Sequence, residues 1–218
     1  MPSGTSCGCE TFVSRVGRAL GTRLARRVVV SNLAVSGATT TSVLGQLQAQ
    51  PLRADLASAD VVIVEVGAND LDEAMAADPA CLPDAACFAG TVGTMAANVG
   101  RILQTAESAV ARRGGTVMAL GYWNVFRDGA VGRSLGSTYV AVSDALTRRA
   151  NAAIAAQATA SGATYVDVYT PFKGTGSDDP TGALSTDGDH PNSTGHQLLA
   201  DAVMAALLPW ARSQAQAS

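Results

Sequence analysis

Four short apolar runs rich in β-branched residues, at 28–33, 61–66, 116–120 and 164–168, alternate with stretches of helical periodicity, and that alternation leaves few folds open. Each run is long enough for a strand and too short for a buried helix. Between them, Phe12, Val16, Ala19 and Leu20, then Val99, Ile102, Leu103, Ala106 and Val110, and finally Leu198, Leu199, Ala202, Val203 and Ala206 recur at three-and-four spacing, the stripe of an amphipathic helix. Asn192, Ser193 or Thr194 can cap the last helix, and Gly114-Gly115 ends the second. The expected fold class is α/β, three-layer α/β/α with a parallel sheet. With 218 residues, 47% of them hydrophobic, and neither a repeat nor a low-complexity linker, the chain is expected to form one domain over residues 1–218. One irregularity stands out: the first pattern is a helix, whereas a doubly wound fold opens with a strand that becomes central. That first central strand is expected to be absent from the chain.

Composition narrows the partners. A formal net charge of -3, a single lysine (Lys173) and scattered arginines make no basic face, so nucleic acid is not an expected partner. No apolar run is long enough for stable membrane insertion, and Met1-Pro2-Ser3-Gly4-Thr5 lacks the charged and apolar regions of a signal peptide. Cysteines fall in two local groups, Cys7 with Cys9 and Cys81 with Cys87. All four are disulfide candidates. Cys81 to Cys87 reads as a loop staple, whereas Cys7 and Cys9 could pair with each other under strain or each with a distant partner. A four-cysteine zinc cluster fits less well, since neither Cys-x-Cys nor a five-residue gap makes the usual knuckle. If oxidised, the cysteines imply a secreted or extracytoplasmic protein.

In open parallel sheets the ligand crevice lies beyond the carboxyl ends of the strands. Three strand-exit segments are unusual: Asn32-Leu33-Ala34-Val35-Ser36-Gly37-Ala38-Thr39-Thr40, Gly67-Ala68-Asn69-Asp70, and Asp187-Gly188-Asp189-His190-Pro191. Alone, each has a plain structural explanation: a turn, a strand exit, surface hydrogen bonding. Together and in this order they carry more. The combination resembles the SGNH hydrolases, the GDSL-like lipases and esterases, whose further Gly-Asp-Ser block has no counterpart here. The resemblance spans nearly the whole chain and implies a flavodoxin-like α/β/α fold and serine-dependent hydrolysis of carboxylic esters through an acyl-enzyme. By that resemblance His190 is the general base, Asp187 its orienting partner, and Gly37 and Asn69 the oxyanion-hole donors. No metal and no organic cofactor is implied, the substrate is a small-molecule or lipid ester, and the protein is expected to act as a monomer.

Other residues are given lesser roles. Asp70 is expected to hold a loop, Asp189 to be the variable residue between Asp187 and His190, and His196 to sit on a solvated helix face. Tyr122, Trp123 and Phe126 are either core or the wall of an acyl pocket. In the family a Gly lies four residues after the nucleophile. Counting back from Gly4 puts that serine just ahead of Met1, with the missing strand before it. The alternatives are that Ser3 or Ser6 takes its place, or that the protein is a catalytically inactive carbohydrate- or lipid-binding module. A nucleotide-binding protein of similar fold is disfavoured, because no Gly-x-Gly-x-x-Gly or P-loop pattern follows any strand.

Overall fold

A computed structural model describes residues 7–82 and 84–216. The first helix, α1 (Phe12–Leu24), starts at Thr11, whose hydroxyl accepts the Ser14 N–H at 3.2 Å, and stops at Ala25 in the left-handed region. Two short helices, α2 (Thr40–Gln46) and α3 (Gln50–Ser58), lead to β1 (Val61–Val64). Then follow α4 (Ala68–Ala77), the long α5 (Ala89–Val110), β2 (Thr116–Leu120), α6 (Gly129–Ser134), α7 (Ser137–Ser161), β3 (Thr164–Val166), α8 (Tyr169–Lys173) and α9 (Ser193–Gln216). Among the described residues the strands make one parallel sheet in the order β1-β2-β3, with Val61 opposite Thr116 and Met118 opposite Thr164.

Alternation along β2 divides the core in two. Val117 and Ala119 point into a cluster with Leu103, Leu146 and Ile154 from α5 and α7, while Met118 and Leu120 point into one with Phe12, Val16, Leu199 and Val203 from α1 and α9. Helices thus cover both faces, and the α/β/α layering expected from the sequence is the observed one. Asn192 is the cap of α9: its side-chain oxygen accepts the N–H groups of Thr194 at 2.8 Å and Gly195 at 3.2 Å. Gly114, left-handed at φ 64°, ends the segment after α5.

One expected strand does not form. Residues 28–33 take no regular secondary structure and join no sheet among the described residues, and Val29 is 75% exposed. The reason is physical: an extended run becomes a strand only when a neighbour takes its backbone hydrogen bonds, and here a cavity of about 1080 Å³ separates it from β1. β1 is correspondingly only half-buried, whereas most of β2 is fully buried. The cysteines settle into local pairs, Cys7 with Cys9 and Cys81 with Cys87, with Cα atoms 5.2 and 5.5 Å apart. Among the described residues no helix is long and apolar enough to cross a membrane.

Candidate active site

The segment before α9 is a tight loop whose own backbone shapes a carboxylate site. Leu184 and Pro191 form an antiparallel bridge, the Ser185 N–H donates to the His190 carbonyl at 2.7 Å, and Gly188 turns the chain at φ 72°. Inside this turn one oxygen of Asp187 accepts the N–H groups of Asp189 at 2.9 Å and His190 at 3.0 Å. The other lies 2.6 Å from His190 Nδ1. Burial pushes the Asp187 carboxyl upward, but those N–H groups and the imidazole outweigh it and hold the carboxyl below its ordinary range. With Nδ1 committed to Asp187, Nε2 is the nitrogen left to take a proton from a reacting group. The Asp187 side chain is 42% exposed, so the pair's value lies in orienting the ring more than in stabilising the fold.

The segment after residues 28–33 and the one after β1 are tied to each other. At the start of α4 the Asn69 amide donates to the Ala38 carbonyl at 2.9 Å, and Asp70 accepts both the N–H and the hydroxyl of Thr40, at 2.8 and 2.5 Å. Asn98 on α5 adds a bond to the Thr40 hydroxyl at 3.1 Å. Asp70 therefore holds a loop, as expected from the sequence. Gly67 is required just before Asn69: its φ is 134°, and a Cβ there would run into the Met95 side chain. Gly37 takes φ 75° beside Ala38, and among the described residues its N–H meets no backbone acceptor. One Asn69 amide hydrogen is used by Ala38 and the other remains for a ligand.

Asn69, Ala38 and His190 line the same cavity that separates residues 28–33 from β1, with Asp187 behind His190 and Gly37 one residue from the wall. Tyr122, Trp123 and Phe126 are buried, as core residues would be, and also line this cavity. Trp123 stacks on Phe172 at 4.9 Å and donates its indole N–H to the Asp189 carbonyl at 3.1 Å, which braces the His190 loop from the side. Glu65, read from the sequence only as part of a strand, lines the cavity too, and burial pushes its carboxyl up to about 7. Its signal was a lone charge in an apolar run. His196 corrects the expectation of a solvated face: it is 1% exposed and stacked against Phe12, because α1 covers this side of α9.

A parallel sheet covered by helices on both faces thus carries the Asp187–His190 pair on the wall of a deep cavity. The chain belongs to the GDSL-like Lipase/Acylhydrolase family, whose model matches residues 3–198. Membership of that family supports ester hydrolysis as the chain's class of activity. Among solved structures, the fold is similar to the lipase Lip_vut3 from a goat rumen metagenome, with a TM-score of 0.75 at 22% identity over 93% of this chain and 91% of that one. It is also similar to the extracellular lipase of Streptomyces rimosus, with a TM-score of 0.70 at 22% identity over 93% and 90%. The acetylxylan esterase Axe2 from Geobacillus stearothermophilus shares it at a TM-score of 0.61 and 17% identity, over 91% and 81%. No curated protein matches the sequence.

Proposed function

We propose that the protein cleaves carboxylic esters by serine attack through an acyl-enzyme. His190 Nε2 takes the serine proton while Asp187 holds the ring; the Gly37 N–H and the Asn69 amide receive the oxyanion of the tetrahedral intermediate. His190 then returns the proton to the departing alcohol, and the same nitrogen activates the water that frees the acid. The observation that carries this reading is the 2.6 Å Asp187–His190 contact on a cavity wall shared with Asn69. No cofactor enters the scheme.

The nucleophile is proposed to lie on a segment preceding Met1, at the end of a strand that enters the cavity between residues 28–33 and β1. The exposure of Val29, Val30, Leu33 and Val35 along that cavity supports this placement, since side chains of this type are normally covered. Ser3 and Ser6, the other candidates, lie outside the described residues. Lipases and an acetylxylan esterase occur among the solved relatives, and small or lipid esters are the proposed substrates here. Two disulfides support action outside the reducing cytoplasm.

The test is covalent labelling by a fluorophosphonate of a chain extended upstream by its genomic codons. One label per chain, lost on His190→Ala, is the expected result. Labelling of Ser3 or Ser6 would move the nucleophile into the chain itself. No His190-dependent label on the extended chain would overturn the enzyme reading in favour of a carbohydrate- or lipid-binding module.

A further inference from the structure

His196 is a buried histidine with nothing to do in the ester chemistry. It is the fourth residue of α9, 1% exposed, and among the described residues neither ring nitrogen has a hydrogen-bond partner. Leaving two polar atoms of a buried ring unsatisfied costs free energy that a packed core avoids, so such a ring points to a ligand. The groups next to it are the sulfurs of Cys7 and Cys9: those two atoms and a ring nitrogen all lie within 4.8 Å of one another. Both cysteines are half-buried and reachable from solvent, and Gly8 between them turns the chain at φ 60° with open space around its Cα.

We propose that Cys7, Cys9 and His196 form a redox-gated binding site for a zinc-class divalent cation, shut while the two sulfurs are bonded and competent once a dithiol or phosphine reductant has opened them. The disulfide accepts two electrons and two protons and becomes two thiols; a dithiol leaves as its cyclic disulfide, a phosphine as its oxide with oxygen from water. The cation then displaces both thiol protons to solvent, forms two metal–sulfur bonds, and takes the imidazole lone pair as its third. Metal–sulfur bonds of about 2.3 Å and a metal–nitrogen bond of about 2.0 Å around a tetrahedral centre place donors roughly 3.5 Å apart. The sulfurs move apart to reach that spacing and the ring nitrogen is already within reach.

Charge and burial agree with this assignment. Two thiolates and one neutral imidazole cancel a divalent charge, which suits a site with low-dielectric walls. A Cys-x-Cys pair and a distant histidine give three ligands from two segments, leaving a fourth position for water. Occupancy would pin the chain ahead of α1 to the start of α9.

The experiment uses the whole chain, reduced with a phosphine that is then removed under anaerobic conditions, and titrated with Co2+ and with Zn2+. One Co2+ per chain with thiolate-to-cobalt charge-transfer absorption, displaced by Zn2+, is expected from the reduced protein and from the reduced Cys81→Ser/Cys87→Ser variant. The oxidised protein should give none. Cys7→Ser should lose the absorption, and His196→Phe, which keeps a ring against Phe12, should weaken binding by more than the roughly 10- to 100-fold that an outer-shell partner is worth. Zn2+ should also raise the melting temperature of the reduced chain and leave that of the oxidised chain unchanged. Absence of cobalt–thiolate absorption in the reduced protein, or affinity unchanged by His196→Phe, overturns the proposal.

Discussion

At the scale of single residues, the geometry separates chemistry from stability. Asn69→Ala removes the proposed oxyanion donor and the bond to Ala38, but Asp70 still ties the two loops through Thr40. In an extended, active chain, turnover should fall by about two to three orders of magnitude. Stability should fall by only about 1 kcal/mol, so kcat and a denaturant melt measured on one sample distinguish the roles. Asp187→Asn should cost on the order of 10⁴ in kcat, because an amide in place of the carboxylate favours the wrong imidazole tautomer. What the sequence made legible is their placement: the motifs that carry the family resemblance bring Asn69 and His190 to one cavity, with Asp187 bonded to His190 and Gly37 beside Ala38 on its wall. The placement of His196 was not legible. A histidine amid small and polar residues at a helix start reads as surface, and only the packing of Phe12 from a distant segment makes it core.

At the scale of elements, much depends on a buried ion cluster that reaches the loop of Asp187 and His190. Lys173, the last residue of α8, is 4% exposed and lies 2.7 Å from Asp128 and 3.0 Å from Asp144, while the Asp128 N–H donates to the Gly188 carbonyl at 2.6 Å. Lys173→Met leaves the Asp128 carboxylate buried without its cation and should cost about 3 to 5 kcal/mol in a chemical melt. Lys173→Met with Asp128→Asn should recover part of that loss, a result that a simple packing defect at Lys173 would not give. Helices α1, α5 and α9 were readable because their buried faces are apolar at regular spacing. The 25-residue α7 was not, and the reason is visible in its inner face. Ser143, Thr147 and Asn151, four residues apart and all buried, serve the irregular segment after β2: Thr147 accepts the Val125 N–H at 3.0 Å, and Asn151 exchanges two bonds of 2.8 Å with the Tyr122 backbone. A polar stripe facing inward defeats a search for apolar periodicity.

At the scale of the whole molecule, the edge of the sheet decides how the protein responds to its surroundings. The run at 28–33 has strand chemistry without a strand's hydrogen bonds, so its amides should exchange with solvent far faster than those of β2, whose exchange should track global unfolding. Filling the cavity with an upstream strand should slow them to match. The same cavity carries a pH signature through Glu65. Its carboxyl is raised from 4.5 to about 7, first by burial, so between those values the folded chain binds a proton that the unfolded chain has released. Stability linked to this group is therefore complete below 4.5 and declines as pH rises toward about 7, by at most roughly 3 kcal/mol. Unfolding midpoints in urea across that window should fall with rising pH in the parent chain and stay flatter in Glu65→Gln, which keeps the shape but cannot ionise. Equal slopes in the two proteins would mean that water entering the cavity solvates the carboxylate.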